Sequence, residues 1–116
     1  MSTVARGSAA ENFVVRHFES LGYVAGSRRH IGGPGDQLFV HEHGLRKDGY
    51  AAVLLVESKK CKPKQIWSNF RQEDREAMRK QRLPFGGERL LVNVAGAGKT
   101  MRIDKVYRES EWPTRR

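Results

Sequence analysis

The chain has 116 residues, with 22 Lys and Arg against 13 Asp and Glu, for a formal net charge of +9. That length fills one modest core, so a single domain over residues 1–116 is expected, and 38% apolar with 30% charged residues is a folding composition rather than a disordered one. A lone cysteine, Cys61, excludes an internal disulfide; the longest strongly apolar run, Ala51 to Val56, is too short to span a bilayer; no leader-like run opens the chain, and a cytoplasmic location is expected.

Residues Ser8 to Leu21 read as a helix, with Ala10, Phe13, Val14, His17, Phe18 and Leu21 forming one apolar stripe. Ser8 and Glu11 have the spacing of a capping box, and Gly22 stands where a left-handed C-cap belongs. Tyr23 to Arg29 predicts a first strand, and a glycine-rich corner, Gly32-Gly33-Pro34-Gly35, follows. Asp36 to His43 predicts a second strand. Asp48-Gly49 is a hairpin signal that folds it back onto Tyr50 to Lys60. The run Ala-Ala-Val-Leu-Leu-Val in that third strand is apolar on both faces, which marks a central strand covered on both sides.

After Pro63, Trp67 to Arg82 predicts a charged helix that buries Trp67, Phe70 and Met78. Arg89 to Val94 predicts another buried strand, Met101 to Tyr107 a last one, and the segment from Arg108 a polar, mobile tail. The order α-β-β-β-α-β, with one further β, describes an α/β domain: a central mixed sheet flanked by helices, not a doubly wound fold.

A basic balance of this size points to a polyanion, nucleic acid first. Lys60, Lys62, Lys64, Arg71, Arg75 and Arg79 crowd one stretch, and Arg71, Arg75, Arg79 and Arg82 have the spacing of one helical face, a track for phosphates. Arg28 and Arg29 beside the glycine corner are further candidates. The chemistry centres on Asp36, Glu57 and Lys59. Strand alternation points Glu57 and Lys59 to one face and Ser58 to the other. A carboxylate ending a buried strand needs compensation, from a metal ion or from Lys59. A hairpin centred near residues 46–49 pairs Asp36 with Glu57 or Lys59, and two carboxylates of this kind suit Mg²⁺, with Mn²⁺ as a substitute. The plainer reading is a salt-bridged strand end.

Gly35-Asp36, a hairpin and Glu57-Ser58-Lys59 resemble the PD-(D/E)XK nuclease motif, with Gly35 where the motif has proline. Arg6-Gly7-Ser8-Ala9-Ala10-Glu11, Leu21-Gly22-Tyr23 and Arg28 before the glycine-rich loop are similar to archaeal-type Holliday junction resolvases, over roughly residues 5–61. Two positions depart from that family. Gly32 stands in place of a loop serine, for which His30 is the substitute at hand, and Asn12 in place of an arginine.

The resemblance implies a restriction-endonuclease-like core and a Mg²⁺-dependent, structure-selective DNA endonuclease. Asp36, Glu57 and Glu11 would hold the metal and Lys59 would serve the attacking water. Arg6 joins the DNA contacts, and a homodimer would make paired symmetric nicks in four-way junctions. A nuclease for other branched or flap DNA, or a non-catalytic nucleic-acid-binding module, are the alternatives.

Two other patterns lead elsewhere. Ala95-Gly-Ala-Gly-Lys-Thr100 lacks the first glycine of a P-loop and precedes a strand rather than a helix, so no nucleotide cofactor is expected. His41 and His43 alternate onto one strand face without further zinc ligands and are expected to be exposed or to face the junction. Trp67, Phe70 and Phe85 read as core or interface residues rather than base-stacking platforms.

Overall fold

The runs Leu54-Leu55-Val56 and Leu90-Leu91-Val92 are fully buried on both of their faces and set the layering of the molecule. The computed structural model describes residues 2–26, 37–41, 49–83 and 86–113, with side chains from residue 9 onward. Helix α1 (Ser2–Ser20) leads into strands β1 (Tyr23–Gly26), β2 (Gln37–His41) and β3 (Val53–Lys59). The short helices α2 (Ile66–Asn69) and α3 (Gln72–Lys80) cross over to β4 (Glu88–Ala95), and β5 (Arg102–Arg108) closes the sheet.

The five strands lie in chain order, β1-β2-β3-β4-β5. β1/β2, β2/β3 and β4/β5 are antiparallel, whereas β3/β4 is parallel, with Leu54 opposite Glu88 and Lys59 opposite Asn93. This is the α/β class with a mixed sheet and helices on both faces that the sequence predicts. Alternation divides the core. Leu54, Val56, Leu90 and Val92 pack with Val14 and Phe18 of α1, while Leu55 and Leu91 pack with Ile66, Phe70 and Met78 of the crossover. No helix among the described residues is long and apolar enough to cross a membrane.

Four expectations are corrected here. α1 begins at Ser2, so Ser8 lies inside the helix rather than at its start; the Ser/Glu spacing is only a local signal, and the Ala-rich stretch around it propagates helix as well as it starts one. The helix does end at Gly22, whose φ of 100° needs no Cβ. The helix predicted over Trp67 to Arg82 is two helices, because Phe70 leaves helical geometry (φ −100°, ψ 80°) as its ring sinks into the core. β3 starts at Val53 rather than Tyr50. Residues 109–113, read from the sequence as the start of a mobile tail, dock rather than trail away. Trp112 is 3% exposed, stands edge-on to Phe70 at 5.1 Å and donates its indole N–H to the Tyr107 carbonyl at 3.3 Å.

Candidate functional site

β3 leaves the core over its last three residues, passing from fully buried Val56 to partly buried Glu57, Ser58 and Lys59. Glu57 and Lys59 share the face of Leu55, and the lysine ammonium lies 3.6 Å from the Glu57 carboxylate. Their side chains are only 17% and 27% exposed. The cation supplies the compensation that a carboxylate needs where water is partly excluded.

The antiparallel ladder beside them runs to Gln37 opposite Val56. Asp36 and Glu57 are the next residues on either strand in sequence, and Asp36 itself lies outside the described residues, as do Arg28, Arg29, His30, His43 and Phe85, together with the side chain of Arg6. The Gln37 side-chain amide donates to the Glu11 carbonyl at 3.3 Å, tying the start of β2 to α1.

Glu11 enters a cleft of about 470 Å³ at this end of the sheet, lined also by Ala10, Lys59, Lys60, Gly98 and Met101. The structure therefore brings Glu11 and Lys59 to one cleft. Glu57 is not among the residues lining it, whereas its partner Lys59 is. Among the described residues no three His, Cys, Asp or Glu side chains are grouped closely enough to hold a metal ion. The set read from the sequence includes Asp36 and cannot be completed from the described residues. The part described, a half-buried hard oxygen donor beside a lysine, is of the chemical type that suits Mg²⁺.

Lys60, Lys62 and Lys64 are exposed, directly beyond β3. The predicted arginine track along the following helix is corrected. Arg71 precedes α3 and pairs weakly with Glu73 and Asp74, at 3.9 and 3.8 Å. Arg75 is 7% exposed, donates to the Phe70 carbonyl at 2.5 Å and lies over the Trp67 ring. Burial first, and then neighbouring Arg79, lowers its pKa. Arg79 is held by Glu109 at 2.9 Å and covers the Trp112 ring. Arg79 thus fastens α3 to the C-terminal turn and Arg75 is folded back onto Phe70 and Trp67, so the arginines present no shared face to a ligand.

His41 is likewise buried rather than exposed. Its ring stands edge-on to Tyr23 at 5.1 Å and fills the space beside Gly22, where a Cβ would come within 2.7 Å of Nε2. Trp67 packs against Phe70 and Tyr107, as a core residue should. The Ala95–Thr100 segment turns through Gly98–Thr100 into β5 with no following helix, so it is not a P-loop.

Asn93 escaped the sequence reading. It is fully buried, and its side chain accepts from the Cys61 N–H at 3.2 Å and donates to the Cys61 carbonyl at 2.9 Å. It thereby fixes the chain two residues beyond Lys59. The signal was present: one amide inside Leu-Leu-Val-Asn-Val-Ala is a polar group that must find partners. Comparison with known protein families, with curated proteins and with solved structures returns no match.

Proposed function

We propose that the chain is a Mg²⁺-dependent, structure-selective DNA endonuclease with a restriction-endonuclease-like core, acting on four-way junctions as a homodimer. The observation that carries the reading is the Glu57–Lys59 pair, 3.6 Å apart at the partly buried end of a central strand. The neighbouring ladder reaches the residue next to Asp36.

In this reading Asp36 and Glu57 hold the metal, and Glu11, which lines the adjoining cleft that Glu57 does not, contributes from α1 through water. The bound ion would polarise the phosphate and acidify a water. Lys59 orients the nucleophile and offsets charge developing on the phosphate oxygens, and its partial burial strengthens that interaction relative to water. The pairing with Glu57 keeps the ammonium at the strand end when no substrate is present.

Incubation with four-way, flap and linear DNA, in Mg²⁺ and in EDTA, tests the proposal. Paired symmetric nicks confined to the junction, and lost in EDTA, are expected. Glu57→Gln and Asp36→Asn abolish cleavage while junction affinity stays within about tenfold, or about 1.4 kcal/mol. If the Glu57–Lys59 pair is only structural, Glu57→Gln lowers stability and leaves any cleavage intact, and the catalytic assignment falls.

A further inference from the structure

A second groove adjoins the cleft that holds Glu11 and Lys59. Its volume is about 450 Å³, and its walls come from the carboxyl ends of β3 and β4 and the start of β5: Lys60, Lys62, Val94, Gly96, Arg102 and Asp104. Lys60 lines both, so the two form adjoining stretches of one surface. Three cations face one carboxylate in the second groove, and exposed Lys99 stands on the turn between β4 and β5.

These cations differ from the arginines around α3. Arg79 and Arg89 are bound to Glu109 and Arg108 to Glu88, whereas Lys60, Lys62, Lys99 and Arg102 make no ion pair with any described residue. Asp104 is partly engaged, accepting from the Asn93 amide at 3.4 Å. A β-bulge between Asn93 and Val94 shifts the β4/β5 register at this point, so that Asn93 pairs with Lys105 and Val94 with Ile103. Gly98, with φ of 54° and nothing within 4 Å of where its Cβ would stand, leaves the adjoining cleft open to close approach by a ligand backbone.

We infer that this groove, centred on Lys62 and Arg102, carries the phosphodiester backbone of a nucleic-acid strand next to the Glu11/Lys59 cleft. The inference rests on the nuclease reading for the identity of the polyanion. Unpaired cations that line one groove act together on an anion, the more so at low salt. An extended polyanion can engage both grooves across Lys60, which a single phosphate cannot.

The test measures binding without cleavage. The full chain in EDTA is titrated with a labelled four-way junction and a single-stranded oligonucleotide between 50 and 200 mM salt. Lys62→Gln with Arg102→Gln removes two groove cations. Arg16→Gln with Lys80→Gln removes two exposed cations elsewhere and serves as the charge-matched control. The groove pair is expected to weaken junction binding by about tenfold or more at 0.1 M salt and to flatten the log–log salt slope by about 1.8, at roughly 0.9 per phosphate contact; the control leaves the slope unchanged. All four side chains are exposed, and circular dichroism checks that each variant is folded.

Equal effects of the two pairs, no binding of either DNA, or tighter binding of inorganic phosphate or of phosphatidylserine vesicles than of DNA overturns the groove assignment. A groove effect in a chain that never cleaves DNA removes the nuclease reading and keeps the groove. Cleavage with equal slopes does the reverse.

Discussion

Replacing Asn93 by leucine keeps nearly the same volume and removes the clamp on Cys61. Two backbone groups then lose their partners: the Cys61 N–H, now 3.2 Å from the amide oxygen, and the Cys61 carbonyl, now 2.9 Å from the amide nitrogen. An unmatched buried backbone group costs about 1–3 kcal/mol. Cys61 is only partly buried, so water recovers some of this, and a total loss of about 2–3 kcal/mol follows. At roughly 2.1 cal/mol/K per residue, the unfolding entropy of this chain converts that loss into a fall in Tm of about 10 °C. Thermal melts followed by circular dichroism, with urea titration as a second measure, read it directly. A fall below about 3 °C would mean that Asn93 is a passive filler and that the end of β3 is held by other contacts.

Trp112→Ala, which empties a core site lined by Phe70 and Arg79, is expected to cost about 3–5 kcal/mol in urea unfolding; a loss below about 1 kcal/mol would return the C-terminal turn to the status of a loose tail. Gly22→Ala costs about 1–2 kcal/mol for a left-handed residue and more for the collision with His41. In a His41→Ala background only the backbone share remains, and an unchanged loss there refutes the contact. Burial raises the pKa of the Cys61 thiol, Lys59 lowers it and Asp104 raises it again, with burial the largest cause. The folded thiol thus keeps its proton to higher pH than the unfolded one, and its contribution to stability is full below the unfolded pKa and lost as pH rises through the folded one. The rate of iodoacetamide labelling should rise at higher pH than in a Cys61 peptide, and coincident profiles would contradict the burial.

What the sequence made legible was periodic. Leu54-Leu55-Val56 has no polar face, so a strand buried on both sides follows from composition alone, and the hairpin centre near residues 46–49 bracketed the β2/β3 register, which ends at Gln37 opposite Val56, without choosing between Glu57 and Lys59 as the residue facing Asp36. Less legible were residues whose chemistry argues against their location. Arg75 is charged and buried because a carbonyl and a ring receive its guanidinium, neither of which is implied by a four-residue spacing of arginines. Trp112 lies among charged neighbours in sequence and reads as tail, although Phe70 and Arg79 from the crossover complete its pocket. At the candidate site, the Glu57–Lys59 pairing was readable from strand alternation, whereas the second groove was not, because Lys62 and Arg102 are brought together only when β5 folds back along β4.

The parallel pairing of β3 with β4 has a kinetic consequence. Residues 23–59 and 88–108 can each zip locally through antiparallel neighbours, but their mutual seam must wait for the intervening crossover to close a long loop. A partly assembled chain can therefore possess both antiparallel units and still lack the cationic trough, since Lys62 belongs to one side of that seam and Arg102 to the other. Assembly of that trough is thereby coupled to closure of the crossover.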